Sequence, residues 1–198
     1  MVTPVRRGWG RALAGVATLG VLVMLGVGCA SVPGKTGEEQ AMAIDSLVTK
    51  TLADLEREHP QAKDEIAQSV GYVIMNNKLT KIPLVGVGAG YGVAVDSAGT
   101  RTYLRMRRFD LGAGWGARAV RPVLIFQDEK KFRDYIDGDF DANLGAEASA
   151  KAGDKGSAGG GGASSGDAGY TSYLITDKGV SATASLAIMR VKPVKPKK

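Results

Sequence analysis

The chain has 198 residues, 44% of them hydrophobic, and a formal net charge of +6. Three cations, Arg6, Arg7 and Arg11, lie ahead of an apolar run, and five more, Arg190, Lys192, Lys195, Lys197 and Lys198, crowd the C-terminal end, so the body between them carries a net −2. That distribution argues against nucleic-acid binding by a basic body, and a single cysteine excludes an intramolecular disulfide.

The first 28 residues read as an export signal: a basic start, an apolar run from Ala12 to Val27, and small residues at the cut. Cys29 then stands at the first mature position, where a bacterial lipoprotein takes its acyl chains. Gly26 occupies the place three before it, usually a branched apolar residue, with Leu25 one further back. An ordinary signal peptide cut after Ala30, leaving a soluble periplasmic protein, is the alternative. The apolar run is short for a membrane-spanning helix, so a retained anchor ranks third. Ala30 carries no acidic inner-membrane retention signal, which favours an outer-membrane lipoprotein facing the periplasm. Processing leaves about 170 residues, enough for one domain with its own core.

Residues 29–37 form a lipidated tether, and a single domain is expected over 38–192, followed by a basic tail at 193–198. From Glu38, Ile44, Leu47, Val48, Leu52 and Leu55 share one helical face. His59-Pro60 ends that helix, and Pro60 opens a shorter one carrying Ala62, Ile66 and Ala67. The two make an amphipathic helical hairpin. Strand signals follow at Val70–Met75, Leu84–Val95, Arg101–Phe109, Leu111–Ala119 and Pro122–Phe126, separated by turn residues. Asp128 caps a third, short helix that Gly138 stops. Residues 152–168 are Gly, Ser, Ala, Lys and Asp, with no large apolar side chain, and read as a disordered loop. Tyr170–Ile175, the turn Asp177-Lys178-Gly179 and Val180–Val191 read as a closing hairpin.

Gly86, Gly88, Gly90 and Gly92 alternate along one strand, and Gly112, Gly114 and Gly116 repeat the pattern. On a period-two strand each stripe clears one face of side chains, giving a smooth surface for a helix or an acyl chain. A dinucleotide loop fails on spacing, since Tyr91 follows Gly90 and no helix begins there.

These stripes, with Ala67-Gln68-Ser69-Val70-Gly71-Tyr72-Val73-Ile74-Met75, Val123-Leu124-Ile125-Phe126, Phe132, Tyr173 and the run from Lys178 to Leu186, resemble the SYLF-domain family, in its bacterial lipoprotein branch. The likeness spans most of the mature chain. Tyr103-Leu104-Arg105-Met106 stands where family members often carry Trp-Ser-x-Pro. The resemblance implies an α+β domain, with N-terminal helices against a curved, glycine-rich antiparallel sheet of barrel-like form. It also implies lipid binding without catalysis.

Arg101, Tyr103, Arg105 and Arg107 alternate on one strand face, setting cations beside an amphipathic ring in a manner suited to anionic headgroups. A charged edge strand, guarded against aggregation, is the competing account. Enzyme signals are thin. His59 lies at a helix end, and Gly162-Ala163-Ser164-Ser165-Gly166 lacks the strand and helix of a nucleophile elbow. Asp137, Asp139 and Asp141 begin like a calcium loop, but Ala142 and Ala148 occupy its glycine and glutamate positions. No catalytic residue, cofactor or metal is expected. The chain therefore reads as a non-enzymatic, phospholipid-binding envelope lipoprotein, or alternatively as a structural or protein-interaction module of the envelope.

Overall fold

A computed structural model describes residues 31–139, 142–153, 155–159, 163–165 and 169–196, with backbone alone at 81, 118, 142–153, 155–159, 163–165 and 178–187. The segment expected as an export signal and Cys29 lie outside the described residues.

Helix α1 spans Gly37–Glu58. Thr36 starts it, its hydroxyl accepting from the N–H of Glu39 at 3.2 Å, and Glu38 and Glu39 suit the positive end of the helix. It stops at His59, before Pro60. Helix α2, Ala62–Ala67, follows directly. Buried Ile44, Leu47, Val48, Thr51 and Leu55 line one face of α1, as helical spacing requires. Helix α3, Glu129–Asp137, begins where Asp128 accepts from the N–H of Lys131 at 2.8 Å. It ends at Gly138, whose φ of +87° suits the left-handed cap.

The strands are β1 (Gly71–Ile82), β2 (Val85–Asp96), β3 (Arg101–Phe126), β4 (Ala142–Gly153), β5 (Lys155–Gly159), β6 (Ala163–Ser165) and β7 (Tyr170–Pro193). All pair antiparallel, in the order β1-β2-β3-β7-β4-β5, with β6 on β7. The α+β architecture is as expected. The barrel-like form is not: the strand path ends at β5 rather than closing on itself.

Three segments expected as separate strands are one. Along one edge, β3 pairs with β2 over Arg101–Leu111 and then with β1 over Gly116–Phe126, so it turns around the β1–β2 hairpin. Gly112 and Gly114 lie between those stretches and Gly116 opens the second, with φ of +137°, +148° and +132°, values costly for residues with a Cβ. The second stripe is therefore the bend itself. Pro122 is tolerated inside the strand because the β1 register omits Arg121 and Pro122, where no N–H is needed.

The closing hairpin is also corrected: β7 is a single strand of 24 residues. Thr176 faces Val120 and Gly179 faces Arg118, so Asp177 and Lys178 fall in a bulge rather than a turn. The tract at 152–168, expected as a disordered loop, holds the end of β4 together with β5 and β6. A backbone ladder between small residues needs no large side chain, and Ala148–Ala152 pair in this way with Lys155–Gly159.

Successive side chains of the sheet enter two cores. Ile74, Val93, Val95, Val123, Ile125, Tyr173 and Ile175 pack under α1 and α2. Val73, Met75, Leu104, Met106, Leu124, Phe126 and Val191 pack with Phe132 and Tyr135 of α3. The Phe126 ring lies 5.4–5.5 Å from those of Phe132, Tyr135 and Tyr170. Helices thus cover both faces of the sheet, and both cores are built from residues 32–191.

Candidate functional site

The four residues expected to meet headgroups lie on one face of β3, but in different surroundings. Arg101 is engaged by Asp45 of α1, whose hydrogen bond and charge raise the guanidinium pKa despite partial burial. Tyr103 is half-buried at the rim of the core beneath α1. Arg105 and Arg107 are exposed beyond the reach of the helices.

The register then supplies two further cations, Arg190 from the segment expected as a closing hairpin and Lys192 just past it. Lys192 of β7 faces Arg105, and Arg190 faces Arg107, with both side chains exposed. Directly opposed residues on a sheet hold their Cβ atoms about 5 Å apart, so the four form a compact basic field. The available signal was period two: Met189 and Val191 are buried while Arg190 and Lys192 alternate with them, which continues a strand rather than starting a tail.

The same outer face becomes apolar along β3. Phe109 stands between Val87 of β2 and Ile188 of β7, and Leu111 faces Val85. Phe109, Leu111 and Trp115 are 44%, 52% and 60% exposed, alongside exposed Val87, Ile188, Ile82 and Leu84.

The first glycine stripe is not the open surface that its pattern suggested. A Cβ on Gly90 or Gly92 would collide with the carbonyl oxygen of Asn76 or Ile74, and one on Gly88 would meet the Asn77 amide at 2.7 Å. Gly86 faces Asp110, to which a Cβ would come within 3.0 Å. The stripe lets the backbone of β1 and the side chains of Asn77 and Asp110 close over these glycines, so it is their atoms and not an acyl chain that lie against the stripe.

Two polar groups buried in the body were not anticipated. On the concave side, Arg108 Nε donates to Asp110 Oδ1 at 2.7 Å and Nη2 to Oδ2 at 3.0 Å, with both side chains fully buried. Nearby, the buried Asn77 amide has no hydrogen-bond partner among the described residues. Under α1, Arg121 donates to both carboxylate oxygens of Asp177 at 2.9 and 2.6 Å, to Asp54 at 2.5 Å and to Thr51 at 3.0 Å. Burial disfavours the Arg121 charge, yet the two carboxylates outweigh it and raise its pKa. The Tyr173 hydroxyl donates to Glu65 of α2 at 2.8 Å, and burial together with that carboxylate pushes its pKa up to about 12. His59, at the end of α1, rests its ring 4.9 Å from that of Tyr173. The contacts of Arg121, Tyr173 and His59 hold α1 and α2 to the sheet.

Among the described residues, no group of His, Cys, Asp and Glu is placed to hold a metal ion, and no helix is long and apolar enough to cross a membrane. Asp141, Gly162 and Gly166, members of the calcium-like and nucleophile-elbow strings, lie outside the described residues.

No protein-family model matches the chain. It is similar to beta cell expansion factor A of Aeromonas veronii, at 29% identity over 103 residues. The match covers 52% of this chain and 39% of the length of that protein, so the chain spans about two-fifths of its relative.

Proposed function

We propose that the protein is a non-enzymatic lipoprotein of the bacterial outer membrane that contacts anionic phospholipid through a SYLF-like domain. Acylated Cys29 tethers it on the periplasmic side. The observation that carries this reading is the basic field of Arg105, Arg107, Arg190 and Lys192 on an exposed sheet face. Each cation near an anionic surface contributes about 1 kcal/mol, and cations within one patch act on the same few headgroups.

Flotation of residues 31–198 with liposomes tests it without help from the lipid anchor, since both cores fall within that segment. Binding to anionic liposomes should weaken with added salt as the field is screened. Removing two cations in Arg105→Ala with Arg107→Ala should lower partitioning about 30-fold, equivalent to about 2 kcal/mol. Absence of flotation under every condition would overturn membrane binding by the domain and favour the protein-interaction module instead.

A further inference from the structure

We infer that the domain does not merely rest on headgroups but inserts the apolar end of its outer sheet face into the bilayer interface, with Trp115 among the buried side chains. This rests on the lipid-binding reading above and adds an orientation and a depth to it.

The basic and apolar fields are continuous. Along β3 the outward residues run Arg105, Arg107, Phe109, Leu111, Ala113, Trp115, and along β7 the order Lys192, Arg190, Ile188 matches it cation for cation and apolar for apolar. A strand rises about 3.3 Å per residue, so Leu111 lies roughly 13 Å beyond Arg107. Interfacial elements sink about 5–10 Å into the boundary between headgroups and acyl chains. With β3 inclined to the membrane plane, cations held at the level of phosphate would therefore carry Leu111 into the first acyl carbons. The chain then bends at Gly112 and Gly114 before Trp115. Leu84, in the two-residue turn between β1 and β2, sits at the same end, its carbonyl accepting from the N–H of Gly112 at 3.0 Å.

The backbone there is suited to such an environment. Over Phe109–Leu111, β3 is paired with both β2 and β7, so these peptide groups enter the interface already hydrogen-bonded. Tryptophan is also favoured at that depth. A protein partner would match the apolar residues equally well, but a row of cations along one border of an apolar field is the arrangement that a phosphate layer over hydrocarbon complements.

Trp115 is the sole tryptophan of residues 31–198, the other being Trp9 in the export signal, so its fluorescence reports the site directly. The test is to mix residues 31–198 with anionic vesicles whose phospholipids are brominated at upper or at deep acyl carbons, and to measure flotation on the same samples. Insertion predicts a blue-shifted emission and stronger quenching by upper-chain than by deep-chain bromines. Phe109→Ser with Leu111→Ser should reduce partitioning about tenfold. Met42→Ser, an exposed apolar residue on α1, should leave it unchanged. Because the wild-type fluorescence carries the result, a variant that fails to fold does not decide the matter.

Flotation without quenching of Trp115 would overturn insertion while leaving headgroup binding intact. Quenching that survives the loss of Arg105 and Arg107 would uphold insertion and overturn the role of the cations. Neither flotation nor quenching would overturn both. Trp115 emission already blue-shifted without vesicles, in a protein that sediments as a dimer, would assign the field to a second copy of the chain and overturn insertion.

Discussion

The guanidinium of Arg121 joins three elements, since Thr51 and Asp54 come from α1 and Asp177 from the bulge of β7. Removing one partner of a buried ion pair typically costs 3–5 kcal/mol. The Asp54 and Asp177 side chains are 16% and 22% exposed, so water offsets part of that loss. Arg121→Ala should therefore destabilise the fold by about 2–3 kcal/mol in urea titrations. Burial would raise the Asp54 pKa, but hydrogen bonds and charge from Arg121 and Arg57 reverse this and hold it below the usual carboxylate value. Its stabilisation is then present above that usual value and disappears as pH falls through the depressed one. The acid limb of stability against pH should be shallower in Asp54→Asn than in the wild type. Gly92 makes a different demand, because a Cβ there would strike the carbonyl of Ile74, and backbone cannot yield as a side chain can. Gly92→Ala should cost about 3 kcal/mol or more, read from the shift in urea midpoint. The glycine stripe advertised close approach, but the approaching atoms belong to the neighbouring strand and not to a ligand.

At the scale of elements, helices were legible and strand boundaries were not. Asp128 and Gly138 satisfy helix-end groups locally, so their residue types announce the ends of α3, and Pro60 after His59 announces the end of α1. The long strands β3 and β7 conceal their continuity because what extends them lies on the partner: 22 register pairs run from Leu104 with Pro193 to Phe126 with Tyr170. Glycines that would end an isolated strand instead bend this one, and Asp177-Lys178-Gly179 becomes a bulge. The amphipathic face of α1 predicts its packing, with Leu55 fully buried against the sheet. Leu55→Ala should destabilise by about 2–5 kcal/mol, depending on how far the layer collapses, and loss of helical signal with urea will measure it.

For the whole molecule, the sheet separates two cores that share strands but no residues. Truncations on opposite faces should then add: Leu55→Ala combined with Phe132→Ala should lose the sum of the single costs to within about 0.5 kcal/mol. A larger deviation in urea unfolding would reveal coupling through the sheet. The same separation explains the candidate site, because α1 and α2 cover one end of the outer face and leave the other uncovered. Helix periodicity, end-capping residues, the lone cysteine after an apolar run and the alternating glycines are all local properties, written in neighbouring residues and readable from them. Whether Arg101 faces lipid or helix, which cations stand opposite Arg105 and Arg107, and that Arg121 is buried within ion pairs depend on residues up to 87 positions distant. Register decides these contacts, and register is settled by the packing of both faces together rather than by any single segment.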